Sequence, residues 1–319
     1  MWFKNLRIFQ LQQTFAYQPE QLAEDLASFK FEPCSSLTPQ SKGWVSPLGG
    51  ETGALVHASN GFMLITLKIQ RKLMPPAVIN EQLSEKMRAI EQQEQRKVGR
   101  KEKQNLKDEI YHTLLPRAFT QSSTVSAYID TQDGLLVVDA AVANVAEDLI
   151  DVLRKTLGSL KVVLPQVTPP AVMMTDWLRN QKVPGKFIAE DACLLQDTRD
   201  KKSLIRCQKH DLFAPRIQAL LQGNYLVTQM ALSWAEQIAF ILQDDFAIKQ
   251  LKFLEDVKAQ SEDVNIESDE QRFDADFAIM SGTLREYLRE LLPALGYKPS
   301  QQFINNPTQS VNEPVVEAE

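Results

Sequence analysis

The sequence has little of what marks several large classes of protein. Its only cysteines, Cys34, Cys193 and Cys207, are widely separated and form no C-x-x-C pair. This spacing argues against a disulfide framework and favours a reducing compartment. The chain has no run of eighteen apolar residues and no G-x-x-x-x-G-K-[ST] motif, so neither a membrane-spanning helix nor a nucleotide-driven motor is predicted. These absences favour a soluble, cytoplasmic protein with no membrane partner.

Positive charge is scarce overall but concentrated in one segment. The 319 residues include 35 Lys and Arg against 41 Asp and Glu, a formal net charge of −6. Six Lys and Arg fall within residues 96–107, opposed only by Glu102. Because these cations outnumber the one acid by five, the segment is +5 and the rest of the chain is −11. Such segregation of charge requires a physical reason.

Strand and helix patterns predict an α+β fold of mixed strands and helices in two or three subdomains. Residues 33–52, rich in Pro, Ser and Gly, are predicted as a loop. Strands are predicted near Lys202–Lys209, Leu226–Leu232 and Glu236–Leu242. The predicted domains are a central α+β domain of residues 1–75 and 118–165, a long basic helical region over 76–117 leading to a loop, a second α+β domain over 166–297, and a disordered tail over 298–319.

The basic segment is predicted to lie on a long helix. Asn80 is a candidate N-cap at its start, and Pro116 ends the helical pattern. The pattern leaves open whether the helix is continuous or interrupted between these two residues. At about 100° per residue, four of the cations fall on one stripe and two more widen it. The four are Arg96, Arg100, Lys103 and Lys107, and the two are Lys97 and Lys101.

Two interpretations of this stripe are open. Like charges side by side repel one another, which favours a polyanion such as DNA or RNA as the partner. Alternatively, the stripe is an ordinary solvated helix face, whose cations pair with nearby acids such as Glu94 and Glu102. An acidic protein partner for the helix, which would make the chain an interaction scaffold, is a third hypothesis.

The stretch "LLPRAF" follows the basic helix and supplies a second feature. Arg117 and Phe119 stand just after the predicted helix end and before the polar "TQSS". A lone Phe is most often a core residue. At a loop tip beside a cation, however, an exposed ring can wedge between nucleic-acid bases or stack on them.

An enzyme is the rival class of function. "RFDADF" places Asp274 and Asp276 two residues apart, a spacing that some metal-dependent nucleases use. No supporting cluster of acids with Lys or His is evident, and the neighbouring Phe273 and Phe277 favour a structural corner instead. We therefore predict no catalytic residue, no metal site and no cofactor, with the nuclease kept as the alternative.

Several blocks of the sequence resemble the bacterial recombination-associated RdgC family. They extend in order over about residues 1–297. The blocks are "WFKNL" at 2–6, "GALVHASNG" at 53–61, "LKDEIYHTLLPRAF" at 106–119, "DGLLVVD" at 133–139, "LRKTLGSL" at 153–160 and "QRFDADFAIMSG" at 271–282.

The resemblance implies a nucleoid-associated DNA-binding protein that is not an enzyme. It implies a ring-shaped homodimer around duplex DNA, with little sequence preference, that limits access of the RecA recombinase. The basic run would line the hole, and Phe119 beside Arg117 would be a DNA-contacting finger. Lys209 stands where the family has a basic DNA-contacting residue, and His210 where Gln is common. On this basis residues 166–297 would serve dimerisation and DNA contact, while the preference for duplex or single strands stays open.

Overall fold

The computed structural model describes residues 1–50, 53–262 and 268–298, and their arrangement confirms an α+β fold. Within these residues, twelve strands form two antiparallel sheets, accompanied by eight α-helices. None of the helices described is long and apolar enough to cross a membrane. The predicted disordered tail, 298–319, lies outside the described residues except for Lys298.

The first sheet has seven strands and is covered on one face by two helices. Its order is β2-β4-β5-β6-β1-β7, and β3 pairs with β4 beside β2. Leu22 and Leu26 of the first helix and Leu149 and Leu153 of the second are buried in the core between helices and sheet. The strands are β1 (Arg7–Leu11), β2 (Gln40–Val45), β3 (Val56–Ser59), β4 (Phe62–Lys72), β5 (Thr120–Asp130), β6 (Leu135–Val138) and β7 (Val162–Val163), and the helices are α1 (Pro19–Ala27) and α4 (Ala143–Thr156).

Strand β2 corrects the predicted loop over residues 33–52. Its sequence, QSKGWV, lacks an apolar alternation, but Trp44 is fully buried and the whole strand pairs with β4. Gly43 permits this arrangement because a Cβ there would overlap the backbone of Phe31. The strand is therefore specified by its neighbours and not by its own periodicity.

The second sheet has five strands in the order β12-β11-β10-β8-β9. The three strand predictions in this region are confirmed, whereas β8 was not predicted. The elements are α5 (Pro170–Arg179), β8 (Phe187–Asp197), β9 (Leu204–Cys207), α6 (Pro215–Gln222), β10 (Tyr225–Trp234), β11 (Ile238–Gln243), β12 (Ile248–Phe253), α7 (Glu255–Glu262) and α8 (Asp269–Ala294).

The N-terminal segment joins the two sheets. Leu6 pairs with Ile248 through two backbone hydrogen bonds of 2.8 and 3.1 Å, whereas the following residues, β1, pair with β6. A single core cluster then includes Leu64 and Tyr128 of the first sheet with Met230 and Trp234 of the second. This core is continuous across the predicted domain boundaries, and those boundaries stay a prediction.

Helix α8 is tied to the β5–β6 turn by two arginine–aspartate pairs. Arg285 donates to both carboxylate oxygens of Asp130 at 2.7 and 2.8 Å, and its guanidinium lies 3.8 Å from the centroid of the Phe62 ring. Arg289 makes the same two-pronged contact with Asp133 at 2.8 Å. The first pair is buried and the second is partly exposed, so their energetic contributions differ.

Candidate nucleic-acid interface

The predicted long helix is a hairpin of two helices, α2 (Pro76–Glu94) and α3 (Arg100–Leu114). Ile79, Leu83 and Ile110 form its small apolar core. Outside that core, Lys86 Nζ of α2 donates to Glu109 Oε1 of α3 at 2.8 Å. We refer to residues 76–117 as the helical hairpin.

The predicted N-cap is wrong. The first helix begins at Pro76, with Pro75 at the N-cap, and Asn80 lies inside the helix. Proline suits the first helical position because its missing N–H would have no intrahelical partner there. The proline signal therefore defines the start of α2 better than the Asn signal did.

The turn between the two helices removes Arg96 from the predicted stripe. Helix α2 ends at Glu94, and the residue that follows it, Gln95, adopts the left-handed conformation with φ of 54°. Arg96 donates to Glu94 at 2.6 Å and to both oxygens of Glu102 at 2.7 and 2.8 Å. The hydrogen bonds from Arg96 lower the pKa of Glu102, and Glu102 raises the pKa of Arg96. Arg96 therefore makes the local ion pairs that the alternative interpretation predicts, and its contact with DNA stays a prediction.

The other five cations of the segment present positive charge that no acidic side chain of the described residues neutralises. Arg100, Lys103 and Lys107 occupy positions i, i+3 and i+7 of α3, which places them within about 60° of one another. We call these three residues the α3 cations. Lys97 lies in the turn, and Lys101 widens the charged face. All five side chains are exposed, and none has an ion-pair partner among the described residues.

Sequence reasoning missed one further cation on this hairpin. Arg88 of α2 is exposed and has no ion-pair partner in the described part of the chain. It lies two residues from Lys86, whose charge is paired with Glu109. The only signal in the sequence is a lone Arg among acids, which does not distinguish it from any solvated side chain.

The Phe119 ring is exposed, so the core interpretation is wrong for this residue. Phe119 is 84% exposed, whereas Leu115 four residues earlier is buried and anchors the turn. The backbone beneath the ring is fixed, because Leu73 N donates to Phe119 O at 2.7 Å. Lys72 Nζ donates to Leu115 O at 2.9 Å and so stabilises the same turn.

Arg117 completes this loop. Its side chain is exposed and has no ion-pair partner in the described ranges. A hydrogen-bonded turn therefore presents an exposed cation and an exposed aromatic ring at the base of the helical hairpin. Contact of either side chain with DNA stays a prediction.

Lys209 and His210 lie elsewhere, in the turn that follows β9 of the second sheet. Both side chains are exposed, and Lys209 adopts a left-handed backbone with φ of 52°. The turn is anchored where His210 N donates to Asp191 O at 3.1 Å. Since Glu190, Asp191 and Asp211 line the same depression, the local charge is mixed here, unlike at α3.

The two aspartates of the nuclease alternative have structural partners. Asp274 Oδ1 lies 3.1 Å from His57 Nε2, and Asp276 accepts from the Met1 ammonium at 2.8 Å. The two carboxylates therefore contact different groups instead of converging on one point. The described residues contain no group of three or more His, Cys, Asp or Glu side chains arranged to hold a metal ion.

These features define an α+β protein whose helical hairpin presents open positive charge and an exposed aromatic ring. The chain belongs to the RdgC family: a family model described as "Putative exonuclease, RdgC" matches residues 1–298. It is similar to the recombination-associated protein RdgC of Tolumonas auensis, at 42% identity over 297 residues. The proteins of the same name from Aeromonas hydrophila and Yersinia pestis are 41% and 39% identical. Each match covers 93% of this chain and 98% of the relative.

Proposed function

We propose that this protein binds DNA without sequence specificity, as a ring-shaped homodimer around the duplex that limits access of RecA recombinase to DNA. The observation that carries the DNA-binding part is the set of α3 cations, which are exposed and without ion-pair partners in the described chain. Exposed cations at helical spacing neutralise phosphates and release counterions, which supplies affinity that carries no sequence information.

The acidic remainder of the chain supports the same proposal. A surface of net negative charge repels DNA, whereas the helical hairpin attracts it, so the electrostatic field selects one face of the protein. The aromatic ring of Phe119 adds a base-stacking or wedging contact that no cation provides. Association with the nucleoid in the cytoplasm follows from this proposal.

The ring-shaped dimer in this proposal is supported by the family resemblance and by the position of the candidate residues. The helical hairpin extends from the first sheet, whereas Lys209 and His210 lie on the second. In the proposal, residues 76–117 line the hole and residues 166–297 contribute dimer contacts together with Lys209 and His210. The relatives are named recombination-associated, which supports recombination as the process affected.

Encirclement is tested by loading the protein on circular duplex at low salt and then raising the salt until phosphate contacts are weak. We expect protein to stay on the closed circle and to leave the same DNA after a single restriction cut, by sliding off the ends. Equal loss from circular and cut DNA would show that binding is from one side, and would overturn the ring without overturning DNA binding.

Replacement of Phe119 by Ala is expected to separate binding from folding. Because the ring is exposed, the thermal midpoint should stay unchanged, whereas lost stacking should weaken DNA binding by roughly 1–3 kcal/mol, measured by fluorescence anisotropy. Phe29→Ala, which removes a partly exposed ring two residues after α1, is the control and should leave binding intact. Equal binding by Phe119→Ala and wild type would remove the finger from the proposal.

A nuclease is the second candidate, because the matching family model carries the word exonuclease in its description. The partners of Asp274 and Asp276 weigh against these two residues as its active site. Incubation of the protein with end-labelled linear duplex and Mg²⁺ distinguishes the candidates. A DNA-binding ring leaves the DNA at full length, whereas an exonuclease shortens it progressively.

A further inference from the structure

Cys193 and Cys207 lie directly opposite each other on the neighbouring antiparallel strands β8 and β9. Directly opposed residues in such a pair have Cα atoms about 4.5–5.5 Å apart. That separation falls within the range of about 4.4–6.8 Å that a disulfide bridges. Both residues are free thiols, and the Cys207 thiol lies near enough to that of Cys193 to raise its pKa. The strand register thus places the two cysteines within the separation that a disulfide bridges.

The two thiols differ in accessibility. Cys193 is buried in the core of the second sheet, whereas Cys207 is partly exposed on the edge strand β9. Burial, together with the adjacent Cys207 thiol, raises the pKa of Cys193 to about 12. An oxidant therefore reacts first at Cys207, and Cys193 is placed to react with the oxidised sulfur.

We propose that Cys193 and Cys207 are a peroxide-sensitive thiol pair that closes to a reversible cross-strand disulfide. In the first step the Cys207 thiolate attacks hydrogen peroxide, the O–O bond breaks, and a sulfenic acid and hydroxide form. In the second, Cys193 attacks that sulfur, the S–S bond forms, and water leaves as the Cys193 proton is lost. Two thiols and one peroxide give one disulfide and two waters, and a dithiol reductant restores both thiols.

The disulfide would fix a strand that is otherwise weakly held. Strand β9 has four residues and pairs on one side only, with β8, in the described sheet. Lys209 and His210 follow Cys207 by two and three residues, so the link would also restrain their turn. The proposal itself does not rest on DNA binding, because oxidation and cross-linking are measured without DNA.

The remaining cysteine supplies an internal control. Cys34 is on the side of the first sheet, where its thiol donates to Gln70 O at 3.4 Å. Folded wild type, Cys34→Ser and Cys207→Ser would each be treated with hydrogen peroxide, alkylated and digested with trypsin. Cleavage after Lys and Arg places Cys193 in peptide 187–199 and Cys207 in peptide 207–209.

In wild type and Cys34→Ser we expect these two peptides joined in the non-reduced digest and separated after dithiothreitol. Loss of two free thiols should accompany the cross-link. Cys207→Ser should give no cross-linked peptide containing Cys193. The proposal is overturned if the joined peptide is absent from both wild type and Cys34→Ser, whether Cys207 is then unmodified or carries a sulfinic acid. It is also overturned if cross-links to Cys34 predominate. Wild type and Cys34→Ser both retain Cys193 and Cys207. The test therefore does not depend on how Cys207→Ser folds.

Discussion

Replacement of the α3 cations by Gln is expected to weaken binding to unrelated duplexes by roughly a hundredfold or more at about 0.1 M salt. Each phosphate contact contributes about 0.9 to the slope of log affinity against log salt, so the slope should flatten by roughly 2–3 per protomer. Arg96 is left unchanged in this variant because its charge is already satisfied by Glu94 and Glu102. The measurement is anisotropy titration with two duplexes of different sequence over a series of salt concentrations.

The matched control changes three exposed lysines outside the helical hairpin. This control variant alters the net charge by the same amount without touching α3. It carries Gln in place of Lys155, Lys161 and Lys182. We expect this control to keep nearly the whole salt slope, and both variants to keep the wild-type thermal midpoint, since all six side chains are exposed. Equal losses in the two variants would mean that total charge, and not the α3 face, governs binding.

Replacement of Arg285 by Ala is expected to cost about 3–5 kcal/mol in the free energy of unfolding, because it leaves a buried carboxylate without its counter-ion. Asp130 is 2% exposed and accepts two hydrogen bonds from Arg285. The backbone N–H groups of Gln132 and Asp133 also donate to Asp130, which retains part of its stabilisation. Denaturant unfolding followed by circular dichroism measures the loss.

Arg289→Ala is the comparison, one turn further along the same helix. Its pair with Asp133 has the same geometry, but 55% of the Arg289 side chain is exposed to water. A surface pair of this kind contributes about 1 kcal/mol or less. If the two substitutions destabilise the protein equally, burial is not what makes the Arg285–Asp130 pair important.

Local sequence signals predicted some elements of both kinds and missed others, such as α6 and α7 among the helices and β8 among the strands. Helix α4 carries a local apolar spacing, and Leu149 and Leu153 are fully buried as that pattern requires. Strand β8 has no such pattern, because the adjacent acids Glu190 and Asp191 place polar residues on both of its faces between two apolar stretches. Its position is set by pairing with β9 and β10. Strand pairing of this kind is not readable from a local period.

The candidate site was predicted in composition but not in geometry. The exposure of Phe119 did not follow from residue type, which favours the core for a lone Phe; its polar neighbours only made a loop tip possible, and the family resemblance favoured it. The cations of α3 followed from helical spacing. The position of Arg96 did not, because the left-handed Gln95 ends α2 where no glycine marks a break. Arg285 resembled an ordinary surface arginine, since its partner Asp130 lies 155 residues away in the sequence.

The N-terminal segment that joins the two sheets limits how early the protein can complete its folding during synthesis on the ribosome. Arg7 contacts Asp245, 238 residues later, and Leu6 pairs with Ile248 in the same region. At roughly 5–20 residues per second, the first strand is synthesised tens of seconds before these partners exist. Until then, Phe3, Leu6 and Ile8 lack the part of their core that the second sheet supplies. The nascent chain therefore has an incompletely buried apolar segment that chaperones can bind, and its folding is completed late by contacts of long sequence separation.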